Sequence, residues 1–125
     1  YRFSNPFNDI ILVIGPRDEF DKYKQWYFYN AALKNLSGIS RDENINGQTC
    51  YVPGYNLVIW LKVKPKTIED LGALVHETLH ATFYIARHLN FKHESTAEKT
   101  NEEFFAYFQN WLFESICGAL KIRLK

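Results

Sequence analysis

His76 and His80 stand four residues apart, with Glu77 directly after the first, in the run Val75-His76-Glu77-Thr78-Leu79-His80. Residues four apart on an α-helix lie on one face, one turn above another. Two imidazoles placed that way can converge on one ion, and zinc accepts imidazole nitrogen readily. Glu77 projects about 100° around the helix from His76, so it reaches beside such an ion rather than onto it. There it can act as general base toward a metal-activated water, the chemistry of a zinc peptidase motif. Three specified residues in five also arise by accident on a solvated helix. Against accident stand the mid-helix position, the flanking apolar residues Val75 and Leu79, and an acidic pair downstream. Gly72, one turn before His76, leaves space on this face for a substrate or another element.

A catalytic zinc takes three protein ligands and keeps one position open. A histidine six residues beyond His80 would give the metzincin arrangement, but Ala86 occupies that position. His88 is eight residues from His80, too far along the helix axis to share an ion with His76, and reads as a C-terminal histidine meeting the helix dipole. His93 lies in a polar stretch and reads as solvated. Glu102 and Glu103 remain, at the start of the next helix, where one of them would complete a His₂Glu set. Glu102 is nearer that helix's apolar face. Glu103 has the small Ala106 three residues on, which would let the two helices approach closely. Each also has a plain structural role: Glu103 in a capping box with Thr100, Glu102 as a first-turn acid. The residues alone do not choose between them.

The elements that must position these groups are legible from periodicity and punctuation. Residues 9–14, with the run Ile10-Ile11-Leu12-Val13-Ile14, predict a buried strand stopped by Gly15-Pro16. Asp18 is placed as an N-cap to a first helix carrying Phe20, Tyr23, Tyr27, Ala31 and Leu33, ending near Ser37-Gly38. Residues 39–49 read as polar, with a turn at Asn46-Gly47, and Tyr51-Val52 as a short strand. Residues 56–62 predict a clearer strand, rich in β-branched and aromatic types. A second helix follows Pro65 with Thr67 as N-cap, Glu69 and Asp70 in its first turn, and a core stripe of Leu71, Val75, Leu79, Ala86 and Leu89, running to about His88. Residues 90–99 read as a loop. A third helix from about Asn101 carries the stripe Phe105, Phe108, Leu112 and Ile116. The expected class is α+β: one domain over residues 1–125, three helices packed on a small sheet, with the metal site between the second and third helices.

Composition bounds the partners. With 15 basic and 14 acidic residues the net charge is +1, no footprint for nucleic acid or an anionic membrane. The 46% hydrophobic and 17% aromatic content argues for a folded core rather than disorder. No apolar run reaches the roughly 20 residues of a membrane span. The first residues do not read as a signal peptide, and with no methionine in the chain they read as a trimmed start. Cys50 and Cys117 are not in a CxxC pair, which argues against a thiolate metal site; reduced thiols fit better than a disulfide.

Three segments carry a resemblance: Val58-Ile59-Trp60-Leu61, then Asp70-Leu71-Gly72-Ala73-Leu74-Val75-His76-Glu77-Thr78-Leu79-His80-Ala81-Thr82, then Glu103-Phe104-Phe105-Ala106-Tyr107. Together they resemble small zincin-like proteins encoded by tailed bacteriophages, over roughly residues 15–112, with specific motifs only in the second half. Such proteins are called peptidases on their motif, so the resemblance bears more on the site than on the reaction. In that group the ligand glutamate is followed by alanine at the third position, which implies Glu103 as third ligand. The resemblance further implies a minimal zincin-like fold, zinc as cofactor, and a peptide or protein substrate met in a host cytoplasm or a virion. It also implies an edge strand beside the substrate, a role that falls to residues 56–62. Tyr84 and Tyr107 are spaced to serve as oxyanion donors, against the plainer reading of both as aromatic core. The chain is shorter than typical secreted zinc peptidases, with no second subdomain to wall a cleft. The rival expectation is a non-catalytic binding or structural protein of phage origin, in which the metal staples the second helix to the third.

Overall fold

The computed structural model describes residues 1–4, 9–21, 45–50, 57–88 and 99–122. Four strands, β1 (Arg2–Phe3), β2 (Ile10–Ile14), β3 (Gly47–Cys50) and β4 (Leu57–Leu61), form one sheet in the order β1-β2-β4-β3. β2 and β4 pair in parallel, and β1 and β3 flank them antiparallel. The helices are α1, described over residues 17–21, α2 (Ile68–His88) and α3 (Lys99–Ala119). The chain is therefore α+β with a small mixed sheet.

β2 and β4 read as unbroken apolar runs because both of their faces are covered. Ile10, Leu12, Leu57, Ile59 and Leu61 point to one side, where Leu74, Ala81 and Ile85 of α2 and Phe108, Leu112 and Ile116 of α3 close over them. Ile11, Val58, Trp60 and Cys50 point to the other, with Phe20 of α1. The Phe20 ring stacks on Trp60 at 5.3 Å, and the Trp60 indole N–H donates to the Gly15 carbonyl at 2.8 Å. Gly15 has φ 156°, backbone that suits glycine. Both cysteines are free thiols, Cys50 buried and Cys117 half-buried. Among the described residues no helix is long and apolar enough to cross a membrane.

Several expectations are corrected. Asp18 is not the N-cap of α1: the Phe20 N–H donates to the Pro16 carbonyl, so the first turn closes on Pro16 and Asp18 lies inside it. The helix expected from Tyr23 to Leu33, its stop at Ser37-Gly38, the strand at Tyr51-Val52 and the loop from Asn90 lie outside the described residues. The polar stretch before Thr49 ends in β3 rather than in a turn at Gly47. β4 is not an edge strand; it pairs with β2 on one side and β3 on the other, so no substrate strand can add to it. α3 spans Lys99–Ala119, which places Thr100 within the helix.

The core stripe of α2 is rotated from the one predicted, of which Ala86 is buried and Leu89 lies outside the described residues. The buried face is Leu74, Glu77, Thr78, Ala81, Thr82, Ile85 and Ala86, while Val75 and Leu79 are 44% and 39% exposed. The two threonines are tolerated there because their hydroxyls donate back to the helix: Thr78 to the Val75 carbonyl at 2.9 Å and Thr82 to the Thr78 carbonyl at 2.8 Å. A stripe drawn from apolar types alone passes over them.

Thr67 caps α2 as expected, and Asp70 does more than complement the dipole. The Asp70 N–H donates to Thr67 Oγ1 at 3.1 Å, and the Asp70 carboxylate accepts from the N–H groups of Lys66 and Thr67 at 3.0 and 3.2 Å. This is a reciprocal capping box with aspartate in place of the usual glutamate. The backbone N–H groups of Lys66 and Thr67 hold the Asp70 carboxyl below its ordinary range. A depressed folded-state value means stability that is present above the unfolded-state pKa and lost as pH falls through the folded one. Asp70→Asn is therefore expected to unfold at lower urea than the parent at pH 7, the gap closing below about pH 4. A gap that persists unchanged at pH 2 contradicts the charged cap.

Candidate metal centre

The roll of α2 decides where its motif points. Leu74, Ala81 and Ile85 turn one side to the sheet, and at about 100° per residue His76 and His80 fall on the opposite side, exposed. Their Nε2 atoms stand 3.1 Å apart, with the rings edge to face at 4.7 Å between centroids. Two imidazole nitrogens on one tetrahedral zinc, at about 2.0–2.1 Å each, are separated by about 3.3 Å. The pair thus fits two corners of a zinc shell. The Tyr84 ring stacks on His80 at 6.5 Å, and the Arg87 guanidinium lies 5.0 Å from the Tyr84 centroid.

Glu77 lies between the buried side of α2 and the histidines. It is 5% exposed. The Thr49 hydroxyl, on β3, donates to Glu77 Oε1 at 2.8 Å and has the Glu77 backbone carbonyl at 3.1 Å. Burial pushes the Glu77 carboxyl up from its ordinary value, while the Thr49 hydroxyl and the nearby His76 and His80 imidazoles pull it down; burial wins. A carboxylate held this way has raised proton affinity, and among the described residues no salt-bridge partner meets it.

The described residues bring His76, His80 and Glu77 together. Among them no third His, Cys, Asp or Glu joins the pair in a set that can hold a metal ion. α3 runs antiparallel to α2: Phe105 meets Phe83 at 5.3 Å between centroids, and Gln109 Nε2 donates to the Val75 carbonyl at 3.4 Å. His80 falls between these two levels, alongside residues 105–109, and Glu103 lies less than one turn before them. Glu102 and Glu103 are both exposed, and so is Ala106. The helices meet through Phe105 and Gln109, while Ala106 is exposed. Gly72 faces open space among the described residues: none of their atoms outside its own helical backbone lies within 4 Å of where its side chain would begin. Tyr107 is 71% exposed and is not aromatic core; Tyr84 is half-buried. His93 lies outside the described residues.

Nothing local marks Thr49: it closes a polar stretch in the sequence, and its partner Glu77 is 28 residues away. No protein-family model, no curated protein and no solved structure matches the chain.

The histidine pair predicts a direct measurement. At a zinc concentration about a hundredfold above Kd, the chain should gain about 3 kcal/mol of stability, read as a rise in melting temperature that chelator reverses. His76→Ala and His80→Ala should each abolish the rise. Melting that responds to zinc equally in both variants excludes this site.

Proposed function

We propose that this chain is a zinc-dependent metallopeptidase with a minimal zincin-like domain, the reading that its resemblance to phage-encoded zincin-like proteins also favours. The observation that carries it is the pairing of two converging imidazoles, 3.1 Å apart and exposed, with a buried carboxylate beside them on the same helix. His76 and His80 would hold the ion, and Glu103 of α3 would supply the third ligand. When bound, zinc supplies Lewis-acid polarisation of a carbonyl and lowers the pKa of a water.

The chain's own residues do the rest. Glu77 accepts a proton from the attacking water at its carboxylate, with burial keeping its proton affinity up. It then returns that proton to the leaving amine. The exposed face around Val75, His76, Leu79 and His80 leaves room for an extended peptide or a protein segment, with Gly72 clearing one end. The near-neutral charge of +1 agrees with a peptide substrate and gives no electrostatic hold on nucleic acid. A host cytoplasm or a virion would be the setting.

One observation favours the rival, a non-catalytic phage-derived binding or structural protein. Glu77 already accepts a buried hydrogen bond from Thr49 across the α2–β3 interface, so it has structural work to do in any case. In that reading the metal fastens α2 to α3 and its removal unfolds the domain.

The test is a digest of a peptide library by zinc-loaded protein. Glu77→Gln should keep its zinc and lose turnover by about 10²–10⁴-fold, the usual share of a general base. Turnover unchanged in that variant removes the mechanism. Zinc content of Glu102→Ala and Glu103→Ala, measured by elemental analysis, names the third ligand: loss is expected in Glu103→Ala alone.

A further inference from the structure

β3 meets Glu77 at two points. Gly47 and Thr49 are two residues apart and so share one face of the strand; they pair with Leu61 and Ile59, on the side turned to α2. Thr49 holds the head of the glutamate, its hydroxyl 2.8 Å from Oε1. Gly47 lies under the stem: a Cβ there would stand 3.0 Å from Glu77 Cγ and 3.0 Å from the carbonyl oxygen of Trp60. The Trp60 carbonyl belongs to the backbone of the central strand, so the side chain of Glu77 is the softer neighbour, and a Cβ at position 47 would push its stem by a few tenths of an ångström.

We propose that Gly47 and Thr49 form a cradle that sets the position of the Glu77 carboxylate, with Thr49 a positioning residue for the proton transfer. This rests on Glu77 being the general base. A hydroxyl suits the task on chemical grounds. It fixes one carboxylate oxygen with a neutral hydrogen bond and brings no second charge beside the glutamate. Thr49 is β-branched, with few χ1 states, and sits on a paired strand, so its hydroxyl direction is set by the sheet. Placement errors of about 1 Å at a reacting group cost on the order of a hundredfold in rate, so the cradle's tolerance is small.

The experiment compares the parent chain with Thr49→Val, Thr49→Ser and Gly47→Ala, each titrated with zinc chloride and assayed for kcat and KM on a peptide cut by the parent. Thr49→Val should bind zinc as the parent does, keep KM within about twofold and lose at least about tenfold in kcat. Thr49→Ser, which restores the hydroxyl, should recover kcat to within about threefold of the parent. Gly47→Ala should lower kcat without loss of zinc. An unchanged kcat in Thr49→Val, or a serine variant no better than valine, overturns the proposal; if the valine variant does not fold, Gly47→Ala decides it on the same kcat criterion. Should the parent cut no peptide at all, the peptidase reading fails by itself. The cradle is then judged by urea unfolding of Thr49→Val, Glu77→Ala and their double variant. The unfolding constant of the double variant should depart at least about threefold from the product of the singles, and additive effects overturn the cradle.

Discussion

A carboxylate buried against a sheet is costly unless a donor meets it, and in this fold Thr49 is the donor that meets Glu77. The bond joins β3 to the middle of α2, and it can form only because both elements are placed independently of it. β3 is placed by its pairing with β4, where Thr49 lies opposite Ile59. α2 is placed by Leu74, Ala81 and Ile85, which lock its roll against the sheet. With the roll locked, the step of about 100° per residue leaves no freedom. Glu77 must face β3, and His76 and His80 must face outward. A roll of one residue either way would bury a histidine or pull the carboxylate from its donor.

The sheet supports this by being covered on both faces. β4 holds Ile59 and Leu61 against the helices and Val58 and Trp60 against the other cluster. Trp60 is pinned by its bond to the Gly15 carbonyl and by the Phe20 ring. The strand that backs β3 is therefore fixed from both sides, and a site built on such elements keeps its geometry better than one built on loops.

The parts of this architecture that were legible in the sequence are those where a local signal and the packing agree. β2, β4, the Thr67 cap and the Phe105-Phe108-Leu112-Ile116 stripe each combine a strong pattern with the element it predicts. The histidine pair was legible because it depends only on helical spacing. What escaped was set by tertiary contact. Thr78 and Thr82 are core residues through bonds to their own helix, so an apolar pattern turned the stripe toward Val75 and Leu79. β3 reads as polar because Gln48 and Thr49 are polar, yet both are buried. The Thr49–Glu77 contact spans 28 residues, and no periodicity reaches that far. The relation of Glu103 to the pair depends on how α3 lies along α2, which contacts between the helices such as Phe105–Phe83 and Gln109–Val75 set and no local pattern shows.

The two halves of the proposed metal centre differ in how much order they need. His76 and His80 are fixed before any ion arrives: they sit mid-helix, their nitrogens already stand 3.1 Å apart, and Tyr84 backs the second ring. Little side-chain freedom remains to be lost when they bind, and ordering costs of about 0.5–1.5 kcal/mol per flexible side chain are avoided twice. A glutamate from α3 is the opposite case, exposed and long, with rotamers to lose. The proposed centre thus has its preformed part on one helix, while a ligand from α3 is the one whose ordering zinc binding would have to offset.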